Sequence, residues 1–158
     1  MKHLFIVKPG EFNDTYQRLT STGMLQVQKL GRSIEEIIKK DSVRIISSDE
    51  EDSYNSAKKL AGALWPVDLV EFLPYLNEFG NESFPETYVK SIQIIDERKE
   101  LSDSIIIISN EHIAKALVPY ALNKYLDKVG MDESYMPGTG MHIDLEKRAC
   151  GLIPKREY

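Results

Sequence analysis

The chain has 158 residues, 42% hydrophobic and 28% charged, with a formal net charge of −5. That length suits one domain, residues 1–158, with one sizeable core. The acidic balance argues against a nucleic-acid binder, which needs a basic face. Cys150 is the only cysteine, so no intramolecular disulfide is available, in keeping with a reducing compartment. No apolar run reaches the roughly 7–15 residues of a signal h-region or the roughly 18 of a membrane span. The expectation is a cytoplasmic protein with no membrane partner.

The first apolar run, Leu4–Lys8, reads as a short buried strand that ends in the turn Lys8-Pro9-Gly10-Glu11. Thr20–Lys40 reads as an amphipathic helix, because Val27, Leu30, Ile34 and Ile37/Ile38 recur at steps of three and four. Val43–Ser47 is the second strand. Ala57, Leu60, Ala61 and Leu64 stripe a second helix that Pro66 ends. Asp68–Phe72 reads as a strand and Pro74–Pro85 as a long polar loop. Glu86–Glu97 suits a helix, although Ile92, Ile94 and Ile95 suit a strand as well. Ser104–Ser109 holds four consecutive isoleucines, the pattern of a central strand buried on both faces. Ile113–Leu126 reads as a helix kinked by Pro119. Gly140–Leu145 and Cys150–Ile153 read as two late strands, as in an antiparallel hairpin.

Strands alternating with helices imply an α/β fold: a three-layer α/β/α sandwich around a mostly parallel sheet of about six strands. In such sheets ligands bind beyond the carboxyl ends of the strands. The informative segments are therefore Lys8–Glu11, Ser47–Asp52 and Ser109–His112.

These turns, together with the segment LTSTGMLQVQKLG, resemble the histidine phosphatase superfamily, the phosphoglycerate mutase-like group. The small bacterial phosphohistidine phosphatases are the nearest in length. The family's helix motif, Leu-Thr-x-x-Gly-x-x-Gln-x-x-x-Leu-Gly, is matched by Leu19, Thr20, Gly23, Gln26, Leu30 and Gly31. The resemblance spans nearly the whole chain, and it implies the fold already read from the pattern.

The catalytic landmarks depart from the family. Its first turn is Arg-His-Gly-Glu, with the histidine as nucleophile; here Lys8-Pro9-Gly10-Glu11 takes that place. Its Ser-Ser pair is followed by a phosphate-gripping arginine; here Ser47-Ser48 is followed by Asp52. Its acidic proton donor corresponds to Glu78 in Leu76-Asn77-Glu78-Phe79-Gly80. Its second histidine corresponds to Asn110. The late segment MPGTGMHIDL resembles the family's last strand and the turn before it.

The chemistry implied by the resemblance needs an imidazole nitrogen to attack phosphorus, with cationic groups on the transferring oxygens. A prolyl amide nitrogen has no lone pair to offer, so Pro9 removes the covalent route. Loss of one oxyanion donor costs roughly 3–4 kcal/mol. Asp52 goes further and brings a carboxylate towards the phosphate: two like charges about 4 Å apart repel by about 4 kcal/mol at an effective dielectric of about 20. Lys8 keeps a positive charge but lacks the arginine fork. No catalytic residue is expected, and no cofactor or resident metal.

The cleft candidates are Lys8, Gly10, Glu11, Ser48, Asp52, Glu78, Asn110 and His112. Several have plainer readings. Carboxylates in Asp49–Asp52 suit the start of a helix, or else form an acidic rim that repels phosphate and attracts a cation or basic partner. His112 is either a replacement nucleophile or a polar residue in a helix's first turn. Asp52, Glu78 and His112 are a legitimate metal-ligand set, but nothing in their spacing demands one. His3 and His142 read as structural or exposed. Tyr75, Phe79, Phe84 and Tyr88 form either a binding face or a satellite core. The expected function is a pseudophosphatase that binds a protein or small ligand as a monomer or homodimer. The rival is a hydrolase rewired through His112 or through a metal with Glu78.

Overall fold

The computed structural model describes residues 1–64, 66–76, 84–129 and 134–155. The elements in chain order are β1 (His3–Val7), β2 (Phe12–Asn13), β3 (Arg18–Leu19), α1 (Ser21–Ile38), β4 (Val43–Ser47), α2 (Glu51–Ala63), β5 (Leu69–Phe72), a 3₁₀ turn (Pro74–Leu76), α3 (Phe84–Arg98), β6 (Ser104–Ile108), α4 (Glu111–Leu126), β7 (Gly140–Asp144) and β8 (Ala149–Ile153).

Six strands form one sheet in the order β5-β4-β6-β1-β7-β8. The first four are mutually parallel, while β7 runs antiparallel to β1 and forms an antiparallel hairpin with β8. The isoleucine run of β6 lies in mid-sheet, and its side chains divide between the faces by strand alternation. Ile105 and Ile107, with Leu4, Ile6 and Ile46, pack on Ile94 and Ile95 of α3 and on Ile113, Leu117 and Ala121 of α4. Ile106 and Ile108, with Phe5, Val7 and Ile45, pack on Val27, Leu30 and Ile34 of α1 and Leu60 of α2. Each fully buried side chain of this size contributes about 1.5–3 kcal/mol. No helix among the described residues is long and apolar enough to cross a membrane.

Three parts of the chain depart from the sequence pattern. A small antiparallel ribbon, β2 with β3, intervenes before α1; strands of two residues are too short to show alternation. The segment read as a loop from Pro74 to Pro85 opens with a 3₁₀ turn, in which Leu76 is buried in the core, and it ends early because α3 begins at Phe84. Helix α4 starts at Glu111, two residues before its first apolar residue, because Asn110 caps it: the side-chain oxygen accepts from the Ile113 N–H.

One ion-paired cluster ties the sheet edge to α3. Arg98 grips Glu71 of β5 with two parallel bonds, Nε to Oε1 and Nη2 to Oε2, both 2.9 Å, and Arg44 of β4 adds a third at 3.2 Å. The Arg98 hydrogen bonds hold the Glu71 carboxyl below its ordinary value of 4.5, against the opposing effect of burial. A lowered carboxylate stabilises the fold fully above its unfolded value and loses that contribution as pH falls through the folded value. We therefore expect Glu71→Gln to lower unfolding free energy at neutral pH by about 1.5–3 kcal/mol. Chemical denaturation at a series of pH values should also show a shallower loss of stability below pH 4.5 than in the parent chain.

Candidate functional site

The parallel register brings three strand ends level: Val7 pairs with Ile108, and Ile108 with Ser47. The pairing continues one step into the turns, where the Ser48 N–H donates to Ile108 O (3.0 Å) and the Ser109 N–H to Val7 O (3.2 Å). Lys8–Glu11, Ser48 and Ser109–Asn110 thus meet at one end of the sheet. Asp52 joins them from α2. It lies one helical turn before Ser56, on the same face, and the Ser56 hydroxyl accepts from the Gly10 N–H at 3.0 Å.

The first turn is held from three sides, chiefly through its backbone. From α1, the Gln26 amide oxygen accepts from the Glu11 N–H at 2.9 Å. Thr20 is the N-cap: its hydroxyl oxygen accepts from the Gly23 N–H (2.9 Å) and donates to the Glu11 carboxylate (2.9 Å). Gly23 is needed for close approach, since a Cβ there would stand 2.0 Å from the Glu11 carbonyl oxygen. From the segment before β7, the Gly138 N–H donates to Pro9 O at 2.9 Å, and Lys8 N–H donates to Thr139 O at 2.9 Å. Gly138 has φ +72°, a left-handed conformation that glycine adopts without strain. The Thr-x-x-Gly-x-x-Gln motif is therefore a cradle for the turn's backbone.

Several side chains at this end of the sheet are also engaged. Pro9 and Gly10 are buried, and Ser48 is fully buried, with no hydrogen-bond partner for its hydroxyl among the described residues. The Lys8 ammonium lies 4.0 Å from the Glu111 carboxylate and 3.5 Å from Tyr135 O. Asn110 uses its oxygen to cap α4 and its NH₂ to donate to Leu76 O (3.3 Å). Asp52 sits in the first turn of α2, where one carboxylate oxygen accepts from the Ser53 N–H at 2.7 Å. That is the macrodipole-favoured place for a carboxylate. His112 is exposed on the first turn of α4. Glu78 lies outside the described residues, as does the set Asp52, Glu78 and His112 taken together. Phe79 and the side chains of Tyr75, Phe84 and Tyr88 fall outside them too. Sequence reasoning missed Ser56 and Gly138 as supports of the turn; both act across long sequence separations that no local pattern signals.

No family model matches the chain, and no curated protein does. Solved structures match over nearly its whole length. It is similar to the protein histidine phosphatase SixA complexed with tungstate, at 15% identity and TM-score 0.65, covering 95% of this chain and 93% of that one. It is also similar to phosphoglycerate mutase from Plasmodium falciparum (19% identity, TM-score 0.58, 99% and 89% covered). A third is the mycobacterial glucosyl-3-phosphoglycerate phosphatase in its native form (12% identity, TM-score 0.60, 96% and 97% covered). The chain has the α/β fold of the histidine phosphatase and phosphoglycerate mutase structures.

The cradle has a direct test in thermal or chemical unfolding. Gly23→Ala should destabilise by about 1–3 kcal/mol, because the added methyl must displace the Glu11 backbone. Thr20→Ala should cost about 1 kcal/mol through loss of the cap. Gly62→Ala, where a Cβ meets nothing within 4 Å, should instead stabilise by about 0.5–1 kcal/mol.

Proposed function

We propose that this chain is a non-catalytic protein of the histidine phosphatase fold, whose cleft binds a protein partner or a small ligand without transferring a phosphoryl group. The observation that carries this reading is Pro9, buried at the carboxyl end of β1 in the place of the family's nucleophile. Its nitrogen is an amide without a proton and without an available lone pair, so no covalent phospho-intermediate forms there. The neighbouring groups support the same reading. Lys8 faces a carboxylate, Asn110 spends its amide on α4 and Leu76, and Asp52 adds negative charge on the α2 side. Losses at groups that act together are not additive, and one missing member already removes most of the rate.

The test is phosphate release from a phosphohistidine peptide, p-nitrophenyl phosphate and phosphoglycerates at high protein concentration. We expect none above background. Turnover that disappears in His112→Ala would overturn the proposal in favour of a rewired hydrolase. Turnover that requires an added metal and disappears in Glu78→Gln would do the same for the metal route. A combined Lys8→Arg, Pro9→His, Asp52→Arg and Asn110→His variant should regain phosphatase activity. Because Asn110→His also removes the α4 cap, at about 1 kcal/mol, thermal unfolding must first show that this variant folds. A folded but inert variant would mean that these positions do not form a phosphate pocket.

A further inference from the structure

A second cluster of chemistry-bearing side chains lies at the opposite end of β1. The strand pair β1–β7 is antiparallel, with His3 opposite Asp144 and Phe5 opposite His142. Directly opposed residues share a face, and residues two apart along a strand share it too. His3, His142 and Asp144 therefore converge on the α1 side of the sheet. His3 Nδ1 is 3.0 Å from His142 Nε2 and 3.9 Å from Asp144 Oδ2, and one ligand atom from each residue lies within 4.8 Å of the other two.

The surroundings orient all three groups. The His142 ring stacks on Phe5, with centroids 4.6 Å apart and planes 12° apart. Asp144 is buried, and its Oδ1 accepts from the Lys147 N–H at 2.9 Å, which leaves Oδ2 turned to His3. On the same face, β8 presents Ala149 and Gly151, opposite Asp144 and His142. A Cβ at Gly151 would meet nothing within 4 Å, so the hairpin leaves room beside the histidines. The cluster opens into a groove bounded by Lys29 and Arg32 of α1 and by Gly151.

We propose that His3, His142 and Asp144 form a binding site for a divalent transition-metal ion, with its remaining coordination positions open to the groove. Two imidazoles and one carboxylate suit Zn²⁺, Fe²⁺, Co²⁺ or Ni²⁺ over the harder Mg²⁺ and Ca²⁺. With bonds of about 2.0–2.1 Å, two nitrogens on one ion stand about 2.9 Å apart at right angles and about 3.4 Å apart in a tetrahedron. The observed nitrogen separation of 3.0 Å needs little adjustment to meet either, while the Asp144 carboxylate, 3.9 Å from His3, must move closer by rotation of its side chain. The hydrogen bond from Lys147 to the second carboxylate oxygen is the kind of outer contact that fixes a ligand's orientation. His3 and Lys8 are separated by the length of β1, roughly 16 Å at strand rise. This site is therefore independent of the cleft and of the function proposed for it.

Equilibrium dialysis and calorimetry with Zn²⁺ or Co²⁺ on the full chain test the inference. The expected result is one ion per chain, with a Co²⁺ visible spectrum of low coordination number. His142→Gln, His3→Gln and Asp144→Asn should each weaken binding by about 100-fold or more, beyond the loss usual for a supporting contact. Cys150→Ser and His112→Ala should leave binding unchanged. Should a ligand variant fail to fold, ¹⁵N spectra of the parent chain's histidines decide: Zn²⁺ should shift His3 Nδ1 and His142 Nε2 and spare His112. The proposal is overturned by absence of binding at millimolar metal, by binding that survives His142→Gln, or by shifts confined to His112. In those cases the 3.0 Å contact is only a hydrogen bond between the two rings.

Discussion

A strand buried on both faces has no water to satisfy its backbone, so its neighbours must pair with it along its whole length. β6 is that strand. Its isoleucines pack against helices on both sides, and its backbone pairs with β1 and β4 in parallel. Because parallel pairing starts and stops in register, the carboxyl ends of β1, β4 and β6 finish at the same level. The chain must leave all three there through adjacent turns. The meeting of those turns is a consequence of that pairing, whatever chemistry their residues can do.

The turn after β1 is held mainly through its backbone. Thr20, Gly23 and Gln26 hold the backbone of Glu11, Ser56 holds Gly10, and the loop before β7 holds Lys8 and Pro9. Most of these contacts reach main-chain atoms, which every residue carries. A change of side chain at position 9 leaves them intact. Proline's lack of an N–H costs little here, because the hydrogen bond at that residue is accepted by its carbonyl oxygen. The helix motif thus answers to the shape of the turn's backbone.

The two ends of β1 have different electrostatic characters. At the carboxyl end, Lys8, Glu111 and Asp52 are open enough for water to screen them. At the amino end, His3, His142 and Asp144 are mostly enclosed by Phe5 and the β7–β8 hairpin. Enclosure penalises charge on an imidazole, which is why His142 is pushed far below the ordinary histidine range. A single short strand connects these environments, and the core between them is apolar on both faces.

Much of this protein is legible from its residues alone. The four isoleucines mark the central strand, the spacing of Val27, Leu30 and Ile34 marks α1, and the order of the elements implies a mostly parallel sheet between helices. That position 9 offers no nucleophilic side chain is legible too, because proline's chemistry does not depend on its surroundings. These features are local, carried by period, composition or a single residue type. The tertiary structure decided what joins across the chain: the β2–β3 ribbon, Ser56 and Gly138 against the first turn, the Arg98–Glu71–Arg44 cluster, and above all the meeting of His3 with His142, 139 positions away. That meeting depends on the register of β7 against β1, and a slip of one residue would send His142 to the other face. Periodicity states which side of a strand is apolar, whereas register follows from pairing with a distant strand, and no local stretch of sequence contains it.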